Sequence, residues 1–183
     1  MKLLACPKCH QQLHLENKTL KCENNHCYDI SKRGYINLLL NPDKATNNPG
    51  DSKESLVARK AYLNNGYYDP ILDQAITCID EFKHQDGLSI LDLGCGEGYY
   101  TQGLKKHFEN SDIYGLDISK IAIDMATRYR KDVTWLVGNS KNIPILDHSL
   151  DFICALFTVV NEDELKRALK EDGYIVHVTA NNQ

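Results

Sequence analysis

At 183 residues, 42% of them apolar, the chain has room for one full domain and a small module. A net charge of −4 argues against a generic nucleic-acid binder, and no apolar run approaches the ~20 residues of a membrane span. Seven cysteines, odd in number and partly clustered, point to metal ligation in a reducing cytoplasm more than to disulfides. The charge is unevenly placed. Residues 1–60 hold 10 Lys/Arg against 6 Asp/Glu, net +4, so residues 61–183 hold 11 against 19, net −8. A basic head on an acidic body permits an RNA-facing N-terminus.

Met1-Lys2-Leu3-Leu4 leads into a cysteine knuckle rather than a signal peptide. The knuckle, Cys6-Pro7-Lys8-Cys9, is followed by Cys22 and His26, a C-x2-C-x12-C-x3-H pattern. Three thiolates and one imidazole suit a closed tetrahedral Zn2+ site with no open catalytic position. Cys27 adjoins His26 and offers an alternative fourth ligand; His26 is favoured. Between the ligand pairs, Leu13, Leu15 and Leu20 alternate loosely enough for a short hairpin, while His10 and His14 read as solvated loop residues. Apolar material is too scarce here for an independent core, so the metal would supply the folding energy.

Tyr28–Ile30 and Gly34–Leu40 each read as short strands in a linker leading out of this module, and Asn41–Gly50 as a Pro/Asn/Gly-rich loop. Lys32, Arg33 and Lys44 divide evenly between a solvated surface and a phosphate-contacting role. Asp51 with Glu54 predicts a capping box opening a helix with Leu56, Val57 and Leu63 on its apolar stripe. Asp69 as N-cap and Pro70 at the first helical position predict the next helix, buried through Ile71, Leu72, Ala75, Ile76 and Ile79.

Ser89–Asp92 reads as the end of a buried parallel strand, and Gly94, Gly96 and Gly98 as a tight turn into a helix near Tyr99. Glycine lets the backbone approach a nucleotide-like ligand there. The order D-x-G-x-G-x-G from Asp92 resembles motif I of the class I S-adenosylmethionine (SAM) methyltransferases. That resemblance implies cofactor contacts at Asp92, Gly94, Gly96, Glu97, Gly98 and Tyr99. It also implies a helix over the cofactor mouth, with Tyr68 at its entrance.

Ile113–Asp117 reads as the second strand, ending in an acid placed to accept hydrogen bonds from ribose hydroxyls. Ser119 or Lys120 starts a helix with Ile121, Ala122, Met125 and Tyr129 inward, and Val133–Val137 is the third strand. Asn139 stands where many SAM enzymes carry an acid for the adenine amine, and its amide oxygen can still accept a hydrogen bond. Asp147–Ser149 reads as a turn and Leu150–Thr158 as a central fourth strand. Asn161 with Glu164 caps a further helix, and Gly173–Thr179 makes a fifth strand. Five strands alternating with helices predict an α/β, doubly wound parallel sheet. The predicted organisation is a zinc module at 1–40, a linker with covering helices at 41–84, and a SAM-binding domain at 85–183.

The runs C-P-x-C-H, R-G-Y-I-N-L-L, P-G-D-S-x-E, A-R-K-A-Y-L-N-N-G-Y-Y-D-P and L-D-L-G-C-G-E-G-Y-Y-T occur in one fixed order. Together they resemble the bacterial 23S rRNA (guanine-N1)-methyltransferases of the RlmA/RrmA family, over about residues 5–151. The resemblance implies a cytoplasmic enzyme whose zinc module aids recognition of 23S rRNA. It would methylate guanine N1 in a hairpin loop of domain II.

Two departures stand out. Where relatives carry an apolar-proline segment after the fourth strand, this chain has Thr158-Val159-Val160. Class I methyltransferases also continue through two further strands, so the resemblance implies an exposed edge beside the fifth strand. A fragment, a shortened gene product and a homodimer covering that edge are the readings. A small-molecule SAM methyltransferase and a non-catalytic rRNA- or SAM-binding remnant are the competing functions, and no residue is assigned as the proton acceptor.

Overall fold

The computed structural model describes residues 1–40, 52–63 and 65–180. The loop expected at 41–50, Lys44 and the expected cap Asp51 therefore lie outside the described residues.

The N-terminal segment forms a three-stranded antiparallel ribbon of β1 (His14–Glu16), β2 (Thr19–Lys21) and β3 (Cys27–Asp29). The expected hairpin is there, with Leu15 opposite Leu20. The segment after it supplies β4 (Ile36–Asn37), which is not a linker strand. It pairs in parallel with β7 (Thr134–Val137), making the main sheet six strands wide where the pattern predicted five.

The remaining strands are β5 (Ser89–Leu93), β6 (Asp112–Asp117), β8 (Leu150–Leu156) and β9 (Leu169–Val178). All pairings are parallel, in the order β4-β7-β6-β5-β8-β9. The chain runs outward from β5 through β6 to β7 and then returns to the other side of β5. That reversal between β5 and β8 is the crevice where doubly wound sheets bind ligands, at the carboxyl ends of the strands.

Among the described residues five helices accompany the sheet: α1 (Lys53–Leu63), α2 (Asp69–Phe82), α3 (Tyr99–His107), α4 (Lys120–Ala126) and α5 (Glu162–Ala168). Strand side chains alternate between faces. Ile90, Ile113, Trp135, Phe152 and Cys154 belong to a buried cluster with Ile79 of α2, Leu104 of α3 and Ile123 of α4. Leu91, Leu93, Tyr114, Leu116, Leu136 and Ile153 belong to the opposite cluster, with Leu165 of α5 and the ribbon's Leu4, Leu13 and Leu20. The ribbon thus covers part of one sheet face. Backbone bonds tie it down: Ala5 N–H to Pro144 O at 3.0 Å and Leu146 N–H to Leu3 O at 2.8 Å.

Several local expectations shift. At the start of α1 the Ser52 hydroxyl accepts from Ser55 N–H at 3.1 Å. Val57 is exposed, because α1 buries only Leu56 and Leu63. Helix α2 begins at Asp69 with Tyr68 as N-cap, because the Asp69 carboxylate accepts the Tyr99 hydroxyl instead of capping. Ser119 caps α4 as expected, yet the buried phase is Ala122, Ile123 and Ala126. The helix ends before Tyr129, which stays 52% exposed.

Candidate functional site

Two tight turns build the metal cluster. In the first, His10 N–H donates to Cys6 O at 2.8 Å; in the second, Asn25 N–H donates to Cys22 O at 2.9 Å. His10 and Asn25 both adopt positive φ, which closes each turn behind its thiol. The ligand atoms of Cys6, Cys9, Cys22 and His26 all lie within 4.8 Å of one another. His26 Nδ1 is 3.4 Å from Cys6 Sγ, 3.5 Å from Cys9 Sγ and 3.4 Å from Cys22 Sγ, and the Cys9 and Cys22 sulfurs are 3.6 Å apart. A tetrahedron with zinc–sulfur bonds of ~2.3 Å and a zinc–nitrogen bond of ~2.0–2.1 Å has edges of roughly 3.5–3.8 Å. The four residues fit zinc. Cys27 points elsewhere, exposed, with Sγ toward Asn25 O at 3.5 Å. The Tyr28 hydroxyl lies 3.3 Å from Cys6 Sγ, placed to donate to a metal-bound thiolate. The amide of Gln11 draws the Cys9 thiol down to about 6, whereas burial pushes Cys6 up.

The second site lies at the sheet's reversal. After β5, Gly94 N–H and Cys95 N–H both donate to Leu116 O, and Gly96 N–H donates to the Asp117 carboxylate at 2.9 Å. Gly98 has φ of +88°, and a Cβ there would stand 2.6 Å from the Trp135 ring. Only glycine permits that turn against that ring. A Cβ at Gly96 would meet no atom within 4 Å, so this face of the turn is open to a ligand.

The opening is a cavity of about 540 Å³, within the range of small-molecule sites. Of the expected cofactor residues, Tyr68, Gly94, Gly96, Glu97 and Tyr99 line it. Gly98 stands behind the turn as the N-cap of α3. Asp92 is 1% exposed and accepts the Thr101 hydroxyl at 2.5 Å. Burial, followed by the nearby Asp117 and Glu97 charges, raises its carboxyl to about 7 against the Thr101 hydrogen bond. Asp117 ends β6 with its two carboxylate oxygens accepting from Gly96 N–H and Ser119 N–H. Asn139 follows β7, its side-chain oxygen accepting from Lys141 N–H. Both sit at the carboxyl end of the sheet, outside the lining of that cavity.

Sequence reasoning missed Arg59, Tyr62 and Leu63 of α1, together with Tyr100, Leu156 and Phe157. The signal available was the density of aromatics at 62–68 and 99–100. Tyr62 stacks on Tyr67 at 5.4 Å, while Tyr68 meets Tyr62 and Phe157 edge-on. Phe157, directly after β8, has φ of +59°, a strained conformation for a bulky residue and one that collects at functional sites. The cavity also presents unmet polar atoms: Glu97 Oε1 and Tyr100 OH are buried without a hydrogen-bond partner among the described residues. Burial raises the Glu97 carboxyl, with Arg59 and Lys60 pulling the other way. A polar cofactor would satisfy these groups, so the lining fits a nucleoside-bearing ligand.

Comparison with known proteins finds matches over both regions. Residues 4–45 match the zinc-ribbon family described as "RlmA, N-terminal", and residues 90–173 match the family described as "Methyltransferase domain". The 23S rRNA (guanine(748)-N(1))-methyltransferase of Streptomyces fradiae is 28% identical over 181 residues, covering 98% of this chain and 64% of that protein. YxjB of Bacillus subtilis (strain 168), provisionally named a 23S rRNA (guanine-N(1)-)-methyltransferase, is 31% identical over 183 residues, covering 96% of this chain and 64% of that protein. The chain therefore spans just under two thirds of these relatives' length. In structure it resembles a provisionally assigned SAM-dependent methyltransferase of Methanococcus maripaludis, with a TM-score of 0.56 at 23% identity over 69% of this chain and 66% of that one. At that identity the likeness concerns the fold. Among the described residues, no helix is long and apolar enough to cross a membrane.

Proposed function

We propose that this chain, which is similar to the 23S rRNA (guanine-N1)-methyltransferases, transfers a methyl group from SAM to N1 of a guanine in a 23S rRNA hairpin loop, in the cytoplasm. The observation that carries this reading is a similarity running through both the zinc ribbon and the methyltransferase domain, over 98% and 96% of the chain in two relatives.

SAM, when bound, supplies an electrophilic methyl carbon, so the chain's own task is alignment. We assign the turn at Gly94, Gly96 and Gly98 to close backbone approach, with Tyr68, Glu97 and Tyr99 around it. Asp117, held by two backbone amides, is prearranged to accept hydrogen bonds from ribose hydroxyls. Asn139 supplies an amide at the adenine end, and Asp92 holds the turn from behind through Thr101. Helix α1 supplies one wall of the cavity through Tyr62 and Leu63.

Guanine N1 lies on the pairing edge and carries a proton at neutral pH, so the base must be unpaired or flipped out before it reacts. The aromatic rim of Tyr62, Tyr68 and Phe157 offers it a stacking surface. The zinc cluster, with four protein ligands and no open position, supports the ribbon and takes no part in methyl transfer.

Incubation of the protein with labelled SAM and either 23S rRNA fragments or a metabolite pool tests the assignment. Label is expected in the rRNA, with reverse transcription halting at a guanine whose pairing edge is methylated. Label confined to metabolites would sink the rRNA reading and favour a small-molecule methyltransferase.

A further inference from the structure

Three segments distant in sequence meet beside the cofactor cavity, and each brings positive charge. The turn between β3 and β4 carries Lys32 and Arg33 and is closed by Gly34 N–H to Ser31 O at 2.9 Å. Arg33 Nε reaches Asp124 of α4 at 2.9 Å, and the same carboxylate takes Arg128 at 3.3 Å. Lys131 Nζ donates to the Arg33 carbonyl at 3.3 Å. Lys60 of α1 bonds the Tyr129 hydroxyl and lies 3.5 Å from the centroid of that ring.

Among the described residues Arg33 and Arg128 share one carboxylate, Asp124, and Lys32 and Lys131 flank them, while Lys60 stands on a cleft that also carries Asp69 and Glu97. Arg33 and Arg128 have side chains 50% and 55% exposed, so their pairing with a shared carboxylate leaves charge facing solvent. Such exposed pairs contribute little to stability.

The patch also has a direction. Lys60, Tyr129, Glu97 and Tyr99 line a cleft of about 400 Å³, and Glu97 and Tyr99 line the cofactor cavity as well. A strand laid across the cations therefore leads into the site.

We infer that Lys32, Arg33, Lys60, Arg128 and Lys131 form a track for the phosphodiester backbone of the substrate RNA, with Tyr129 as a stacking surface at its inner end. This rests on the rRNA reading above and adds where the strand enters. Cations on the backbone and an exposed ring for a base are the two elements by which proteins hold single-stranded nucleic acid. The track binds without reading sequence; selection of the guanine is left to the aromatic rim of the cavity.

The test is binding of a synthetic 23S rRNA hairpin from domain II across a salt series, comparing the unaltered chain with Arg33→Gln/Arg128→Gln/Lys131→Gln. SAM affinity by calorimetry serves as the control for an intact fold. The triple variant is expected to bind the hairpin at least about tenfold more weakly near 0.1 M salt, with the slope of log affinity against log salt smaller by about two, since each backbone contact in a single strand contributes ~0.7. SAM affinity is expected to stay the same. Lys131→Gln alone gives up one bond to a carbonyl and carries the same test with a slope change of about 0.7.

Equal affinity and equal slope in variant and unaltered chain would overturn the track while leaving the rRNA reading intact. Failure of the unaltered chain to bind the hairpin even at low salt would overturn both. Tighter binding of polyglutamate than of the hairpin would overturn the track in favour of an acidic protein partner.

Discussion

The ribbon and the sheet lie against each other and are held together by opposite means. The strands β1, β2 and β3 are three residues each, and of their nine side chains only Leu20 is buried. In β5 and β8, by contrast, Ile90, Leu91, Asp92, Leu93, Phe152, Ile153, Cys154, Ala155 and Leu156 are all buried, so those strands are covered on both faces. The sheet is organised by burial and needs no ligand to define it. The ribbon is organised by four ligand atoms and by leaning Leu4, Leu13 and Leu20 on the sheet. One buried cluster serves both, so the metal stabilises more than the turns that hold it.

The largest expected effect separates these two means. Structural zinc in small ribbons has an apparent binding free energy of ~10–16 kcal/mol, which is folding free energy where no site exists in the unfolded chain. Chelation, or Cys22→Ser, is expected to abolish zinc binding and strip hydrogen-exchange protection from β1, β2 and β3. Because Leu4, Leu13 and Leu20 share a cluster with Leu116 and Leu136, the melting temperature of the whole domain is expected to fall by roughly 10 °C or more, in one transition. A calorimetric trace with an unshifted main transition would show that the shared cluster contributes nothing and that the two regions are independent.

A smaller effect belongs to the sheet alone. Asp92 is the acid that burial penalises most plainly, its carboxyl raised to about 7. Its ordinary value is about 3.9, so between about pH 4 and pH 7 the folded protein binds a proton that the unfolded chain releases. Stability therefore declines as pH rises through that window, by an amount on the order of a few kcal/mol, and is flat above it. Asp92→Asn removes this component, although it also places an amide where Thr101 donates. In chemical denaturation without cofactor, the variant is expected to gain relative to the unaltered chain between pH 5 and pH 8. Parallel stability curves would mean that Asp92 is solvated or otherwise compensated in solution.

The contrast also explains what could be read from the sequence. Ligand spacing is a local code, so Cys6, Cys9, Cys22 and His26 were legible, as were the glycine turn and the buried runs at 89–93 and 150–156. A strand within Gly34–Leu40 was legible too, but that Ile36–Asn37 joins the main sheet was not. Two residues carry no periodicity, and the partner that makes them a sheet strand, β7, lies about a hundred residues downstream. The start of α2 was misplaced by one residue because Asp69 is held by Tyr99, a partner the local pattern does not reveal. The phase of α4 slipped because three of the four residues Ile121, Ala122, Ile123 and Met125 are large and apolar, and only the sheet decides which go inward. Phe157 read as part of a strand, since nothing local announces a positive φ at a bulky residue. The cavity wall supplied by α1 was invisible for a related reason: it depends on where a helix docks, not on what it contains.

The smallest expected effect closes the one ambiguity that the ligand code itself left open. Cys27 and His26 are adjacent, and spacing alone allows either as the fourth ligand. Because Cys27 is in β3, opposite Lys21, its side chain leaves the strand on the side away from the cluster, and its thiol contacts only the Asn25 carbonyl. His26 lies in the turn before that strand, where Nδ1 comes within 3.4–3.5 Å of all three thiols. Cys27→Ser is therefore expected to leave zinc content at one per chain and the melting temperature within about 1 °C, the range of a surface substitution. His26→Ala is expected to lower the metal affinity sharply, since three thiolates would share the ion with solvent. Loss of zinc on Cys27→Ser, with His26→Ala retaining it, would require the turn to swing β3 by one residue. That register slip would turn Tyr28 away from Leu20, so it would also be visible in the cross-strand contacts of the ribbon.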